Sequence, residues 1–129
     1  LYFLQTKEYD NENDNSNVIY FKYGTFKFLF MGEAGIEKEK DILEKYNISD
    51  VYVLKVGHHG SITSSTKTFI NYIKPKFSII SVGKKNRFGH PNKEVLNNLD
   101  NSKIYRTDED GSILFKIKNN KLKIETCTP

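Results

Sequence analysis

At 129 residues the chain has the length of one compact domain and is too short for two ordinary ones. It is 37% hydrophobic, with nine Phe and eight Tyr, which is enough for a buried core and excludes wholesale disorder. No apolar run approaches the roughly 18 to 20 residues of a membrane-spanning helix, and a lone Cys127 excludes an internal disulfide and a cysteine-based zinc cage. The formal charge is +4 and the pI about 9.0. Arg87 and Arg106 are the only arginines, and the lysines are scattered along every element. That scatter, with Ala34 as the only alanine, fits the codon bias of an A+T-rich genome before it fits a selected nucleic-acid surface. Leu1 stands where a start Met would be and no basic-then-apolar leader comes after it, so the numbering is expected to begin inside a longer product.

The Asn- and Asp-rich stretch from Glu8 to Asn17 reads as a loop. Val18–Tyr23 and Phe26–Met31 flank Gly24-Thr25 and predict a β-hairpin. Ile36–Tyr46 reads as a surface helix, with Ile36, Ile42, Leu43 and Tyr46 on one stripe and pairs such as Asp41–Lys45 on the other face. Val51–Val56 is a continuous apolar run of the buried-strand type. A polar loop, GHHGSITSS, then leads into a helix near Thr66–Ile73, with Ser64 or Ser65 as the expected N-cap and Pro75 ending it. Phe77–Val82 is a second buried strand, succeeded by the loop GKKNRFGHP and a short helix near Asn92–Leu99. A strand at Lys103–Arg106, a turn DEDG, and strands at Ser112–Lys118 and Lys121–Thr126 joined at Asn119-Asn120 complete the chain. The expected fold is α/β (α+β): a mixed sheet with flanking helices and an antiparallel edge at each end. It makes one domain over residues 1–129.

Polar residues concentrate in three loops, after Met31, Val56 and Val82, each at a strand's carboxyl end, where open α/β sheets place ligands. All three histidines, His58, His59 and His90, lie there. In LKVGHHGS, Gly57 and Gly60 allow a sharp turn, a neutral imidazole suits a zinc-like ion, and Ser61 can hydrogen-bond an anionic oxygen. Adjacent histidines point in different directions, so at most one is expected to face a metal directly and the other to support it from behind or face a substrate; the competing reading is two histidines structuring a turn. In FLFMGEAG, Glu33 is either a metal ligand or an acid at a helix N-terminus. In SVGKKNRFGHP, Asn86 and Arg87 supply donors for an anionic oxygen beside His90, against the alternative of a basic surface loop. YRTDEDGS lacks the spacing of a calcium loop and reads as a hairpin turn.

The ordered set FLFMGEAG, VLKVGHHGS, KPKFSIISVGKKNRFGHP and YRTDEDGS resembles the metallo-β-lactamase-fold hydrolase domain at the C-terminus of ComEC-type DNA-uptake channels, from about Asn13 to Leu114. The resemblance implies a four-layer αβ/βα fold with a dinuclear zinc or manganese site that hydrolyses a phosphodiester or similar ester. It implies Glu33 and His59 as metal ligands, His58 with His59 at the catalytic centre, and Ser61, Asn86, Arg87 and His90 on the substrate's anionic oxygens. Asn13 falls near the position of a further histidine ligand of related enzymes. Two departures stand out: the family's His-x-His-x-Asp-His cluster is absent from these residues, and Glu33 replaces an Asp. The chain is therefore expected to be the C-terminal half of the αβ/βα sandwich, supplying part of an active site and inactive alone. Its exposed apolar surface is expected to form a homodimer. The resemblance implies a nucleic-acid or other phosphodiester partner. It also implies an extracytoplasmic or membrane-associated setting if the chain belongs to a channel, and a cytoplasmic one otherwise. The alternative function is a non-catalytic module that holds DNA or another polyanion through Lys84, Lys85 and Arg87.

Overall fold

The computed structural model describes residues 1–128. In chain order the elements are β1 (Tyr2–Phe3), a 3-10 turn (Glu12–Asn15), β2 (Ile19–Tyr23), β3 (Phe26–Phe30) and α1 (Ile36–Lys45). Then come β4 (Val53–Lys55), a 3-10 turn (Gly57–Gly60), α2 (Lys67–Ile73), β5 (Phe77–Ile80) and α3 (Lys93–Asn98). The chain closes with β6 (Lys103–Arg106), a single helical turn α4 (Thr107–Asp110), β7 (Ser112–Lys118) and β8 (Lys121–Cys127). The first six strands form one sheet in sequence order. β1, β2 and β3 are antiparallel, whereas β3, β4, β5 and β6 are parallel. This is the mixed sheet with flanking helices that the alternation of elements predicts.

Each parallel link needs a crossover, and α1, α2 and α3 supply them on one face of the sheet. Ile42, Phe69, Ile70, Ile73 and Val95 of these helices, with Leu99 just after α3, pack on Val18, Leu29, Leu54, Val56 and Ile80 in the main core. The other face carries Phe26, Phe28, Val53 and Ile79, and the β7–β8 hairpin covers it with Ile113, Phe115, Ile117 and Leu122. The predicted C-terminal antiparallel edge is thus corrected: β7 and β8 pair only with each other and lie across the sheet as a separate layer. Their lysines alternate with the inward apolar residues, so only one side of the ribbon is a solvated face. The DEDG segment is likewise no hairpin turn but the link between two sheets. Its carboxylates fold back on Arg106, which Asp108 holds in a bidentate pair at 3.0 and 2.6 Å while Glu109 lies 2.9 Å from the same guanidinium.

The hairpin at Gly24-Thr25 forms as predicted, with Tyr23 opposite Phe26 and Gly24 at φ +57°, a left-handed angle that Gly adopts without strain. The stripe predicted for α1 needs correction. Ile36 is exposed, while Lys38 and Glu39 are almost fully buried beside Ile42. Both polar side chains are inside because each holds backbone from another segment. Lys38 Nζ donates to the Ser16 carbonyl at 3.0 Å and lies over the Tyr9 ring. Glu39 accepts from Ser65 N, Thr66 N and Thr66 Oγ1 at the start of α2. The expected Asp41–Lys45 pair does not form, because the N-terminal segment lies along that helix face. Asp41 takes the Tyr9 hydroxyl at 2.6 Å and Lys7 at 3.2 Å, and Lys45 donates to the Gln5 carbonyl. The N-cap of α2 is Thr66, whose hydroxyl accepts from Phe69 N, and not Ser64 or Ser65. Those two serines are buried, and Ser64 Oγ closes the preceding loop on the carbonyls of Gly57 and Ser61.

Candidate functional site

The parallel strands β3, β4 and β5 end side by side, so the loops leaving them meet at one edge of the sheet. His58 N donates to the Gly32 carbonyl at 2.9 Å and ties the second loop to the first. Asn92 N donates to the Gly60 carbonyl at 2.9 Å and ties the third to the second. His58 and His59 both sit at positive φ, 45° and 54°, a conformation that costs an L-residue free energy and recurs at functional sites. The turn splays the two imidazoles onto one carboxylate. Glu33 Oε1 lies 3.3 Å from His59 Nε2, and Glu33 Oε2 lies 3.8 Å from His58 Nε2.

His59 Nδ1 is 2.6 Å from the Ser81 carbonyl, and a carbonyl can only accept. His59 therefore carries a proton on Nδ1 and turns its Nε2 edge toward Glu33. His58 Nδ1 reaches Thr63 Oγ1 at 3.3 Å, and the His58 ring stands edge-on to His90 with centroids 6.0 Å apart. Burial, with the neighbouring His58 and His59, lowers the pKa of His90 below the ordinary histidine value. Lys55 at the end of β4 is half-buried, and its ammonium donates to the Val56 carbonyl at 3.2 Å. Desolvation lowers its pKa, and the nearby Glu33 charge opposes that shift.

The residues singled out from the sequence divide by place. Glu33, His58, His59 and His90 come together at this edge, and Asn13 lines the same cleft of about 400 Å³ beside Asp14, Glu33, His58 and Thr63. Glu33 does not cap α1. That position is Gly35, whose N–H is bound by the buried carboxylate of Asp14 at 2.6 Å. Ser61 is buried, with its hydroxyl 3.0 Å from Thr63 Oγ1. Asn86 clamps its own loop, its amide donating to the carbonyls of His90 and Gly83 while its oxygen accepts from His90 N. Arg87 is exposed and lies over the Phe88 ring. A slightly larger cavity, about 440 Å³, opens at the amino ends of β5 and β6, but Lys74 is the only ionisable group among its lining residues. Sequence reasoning does not single out Asp14, Lys55, Thr63 or the Ser81 carbonyl. Only Lys55, a charge inside the apolar run VYVLKV, leaves a signal there.

The donor chemistry fits part of a metal centre. A carboxylate and two imidazole nitrogens face one another, and the His59 ring is held through Nδ1 with its Nε2 edge toward Glu33. Among the described residues, no group of three or more His, Cys, Asp or Glu side chains is arranged to hold an ion. A complete coordination sphere would need donors beyond these.

The chain is 36% identical over 111 residues, 84% of its length, to ComE operon protein 3 of Bacillus subtilis. It is 33% identical over 129 residues, 95% of its length, to competence protein ComA of Neisseria gonorrhoeae, and 28% identical over 116 residues to recombination protein 2 of Haemophilus influenzae. These are homologues, and they make the chain a relative of competence proteins. It spans 14%, 18% and 14% of their respective lengths. No family model matches the chain.

Proposed function

We propose that the chain is the C-terminal part of a metallo-β-lactamase-fold hydrolase that acts on phosphodiesters during DNA uptake. The observation that carries this reading is the convergence of Glu33, His58, His59 and His90 at the carboxyl ends of adjacent parallel strands, in a chain homologous to competence proteins. In this reading Glu33 and the Nε2 of His59 hold zinc or manganese, with the remaining ligands supplied outside these residues. Such an ion, when bound, lowers the pKa of a coordinated water and polarises an ester. The chain's own part is to hold and orient. The Ser81 carbonyl fixes the ring of His59, Thr63 steadies His58, and the exposed Arg87 with Lys84 and Lys85 draws the anionic backbone to the cleft.

A second reading is favoured by the incomplete ligand set: a degenerate hydrolase fold that holds DNA through the Lys84–Arg87 loop without cleaving it. Metal content by plasma mass spectrometry after dialysis separates the two. The chain alone is expected to retain a partial load of zinc or manganese, and His59→Ala to lose at least about 90% of it, as removal of a direct ligand should exceed the 10- to 100-fold effect typical of outer-shell partners. Equal retention by both proteins, or phosphodiester cleavage by the full-length parent that survives His59→Ala, would sink the hydrolase reading. Metal in neither, together with steeply salt-dependent DNA binding, favours the second.

A further inference from the structure

The Phe88 ring is 69% exposed, the most exposed of the large apolar side chains, although it stands at the rim of a polar site. It has no core to fill. Its neighbours are planar: the His90 ring is stacked with it at 18° and 5.9 Å between centroids, and the Arg87 guanidinium lies 5.3 Å from its centre. Both separations are those of offset neighbours at the ring's side, and with 69% of the residue exposed much of its surface stays open. His90 in turn meets His58 at 6.0 Å, so a row of flat groups runs outward from Glu33 through His58 and His90 to Phe88. Exposed Lys84 and Lys85 lie on the same loop, and the Asn86 clamp holds that loop in shape.

We infer that Phe88 is a stacking platform for one unpaired base of a single-stranded nucleic acid, set beside the cleft so that the flanking backbone passes the histidines. This deepens the reading given above, from phosphodiesters in general to strands with unstacked bases. Free aromatic faces next to basic side chains are how proteins grip single strands without reading sequence. A base inside a duplex has no face to offer, so the platform selects against paired DNA.

The test is binding, measured by fluorescence anisotropy in metal-free buffer. The probes are a labelled oligothymidylate, an abasic strand of the same length and charge, and anionic phospholipid vesicles. Phe88→Ala is expected to weaken oligothymidylate binding by about tenfold, within the range found for loss of one base stack, and Phe88→Tyr to restore it. Affinity for the abasic strand and the slope of affinity against salt should be the same in all three proteins. Equal weakening on both strands, or on neither, overturns the inference, as does Phe88-dependent binding to vesicles with none to oligothymidylate. If Phe88→Ala leaves oligothymidylate binding intact while His59→Ala abolishes metal retention, the platform falls and the hydrolase reading stands. If the unmodified chain binds neither strand, the inference fails along with any nucleic-acid substrate.

Discussion

Gly60→Ala is expected to destabilise the chain by roughly 2–5 kcal/mol and to disorganise the histidine loop, whereas Gly83→Ala, in a neighbouring loop, should cost less than about 0.5 kcal/mol. Gly60 sits at φ +79°, where an L side chain is strained by about 1–2 kcal/mol. A Cβ there would also stand 2.7 Å from the Pro91 Cβ and 3.2 Å from the Pro91 Cα. The second of these is backbone and cannot swing aside, so forced overpacking adds about 1–3 kcal/mol. Relief would require the second and third loops to part, at the expense of the Asn92 N–Gly60 O bond at 2.9 Å. That parting moves His90 away from His58. A Cβ on Gly83, in contrast, meets nothing within 4 Å. Urea unfolding of both variants checks the claim, and similar midpoints for the two would refute it.

The loops that carry these glycines are the most legible part of the sequence. Buried strands of the type VYVLKV and FSIISV announce themselves by continuous apolar runs, and topology then brings the loops at their carboxyl ends to one sheet edge. His58, His59, Glu33 and His90 can be grouped on that ground without any distance. Residues whose role depends on a partner far along the chain are not legible. Asp14 lies in an Asn-rich stretch with no pattern of its own, yet its carboxylate binds the N–H of Gly35, the residue that opens α1, from 21 positions away. Lys38 and Glu39 look like solvent-facing ions in a helix full of them, and only the Ser16 carbonyl and the start of α2 explain their burial. The β7–β8 ribbon is readable as a hairpin because its pairing is local. Its place across the sheet is not, because alternation tells which face is apolar but not which surface it meets.

Glu39 is where that hidden chemistry has its largest thermodynamic consequence. Its side chain is almost fully buried, and desolvation pushes its pKa from 4.5 up to about 7, against the pull of the Thr66 and Ser65 N–H groups and the Thr66 hydroxyl, which favour the carboxylate. The Asp14 charge pushes the same way as burial. The folded state therefore holds a proton that the unfolded chain releases near pH 4.5. Between that point and about pH 7 the folded state binds more protons, so stability falls as pH rises, and above pH 7 the loss is complete. A shift of this size amounts to roughly 3 kcal/mol. His90, whose pKa is lowered, works in the opposite sense over part of the same range: stability rises with pH as the unfolded imidazole gives up its proton near 6.5. A comparison with Glu39→Ala removes that contribution, because His90 is common to both proteins. At pH 5 the variant should be less stable by about 2–4 kcal/mol, having stranded one buried and one part-buried N–H donor at the start of α2 and left a small cavity. At pH 8 the deficit should shrink markedly, because the unmodified chain has by then ionised its own buried carboxyl. Urea midpoints at the two pH values decide it: a deficit that is constant or that grows with pH would mean that Glu39 is held in the fold as a carboxylate, with the donors at the start of α2 outweighing burial.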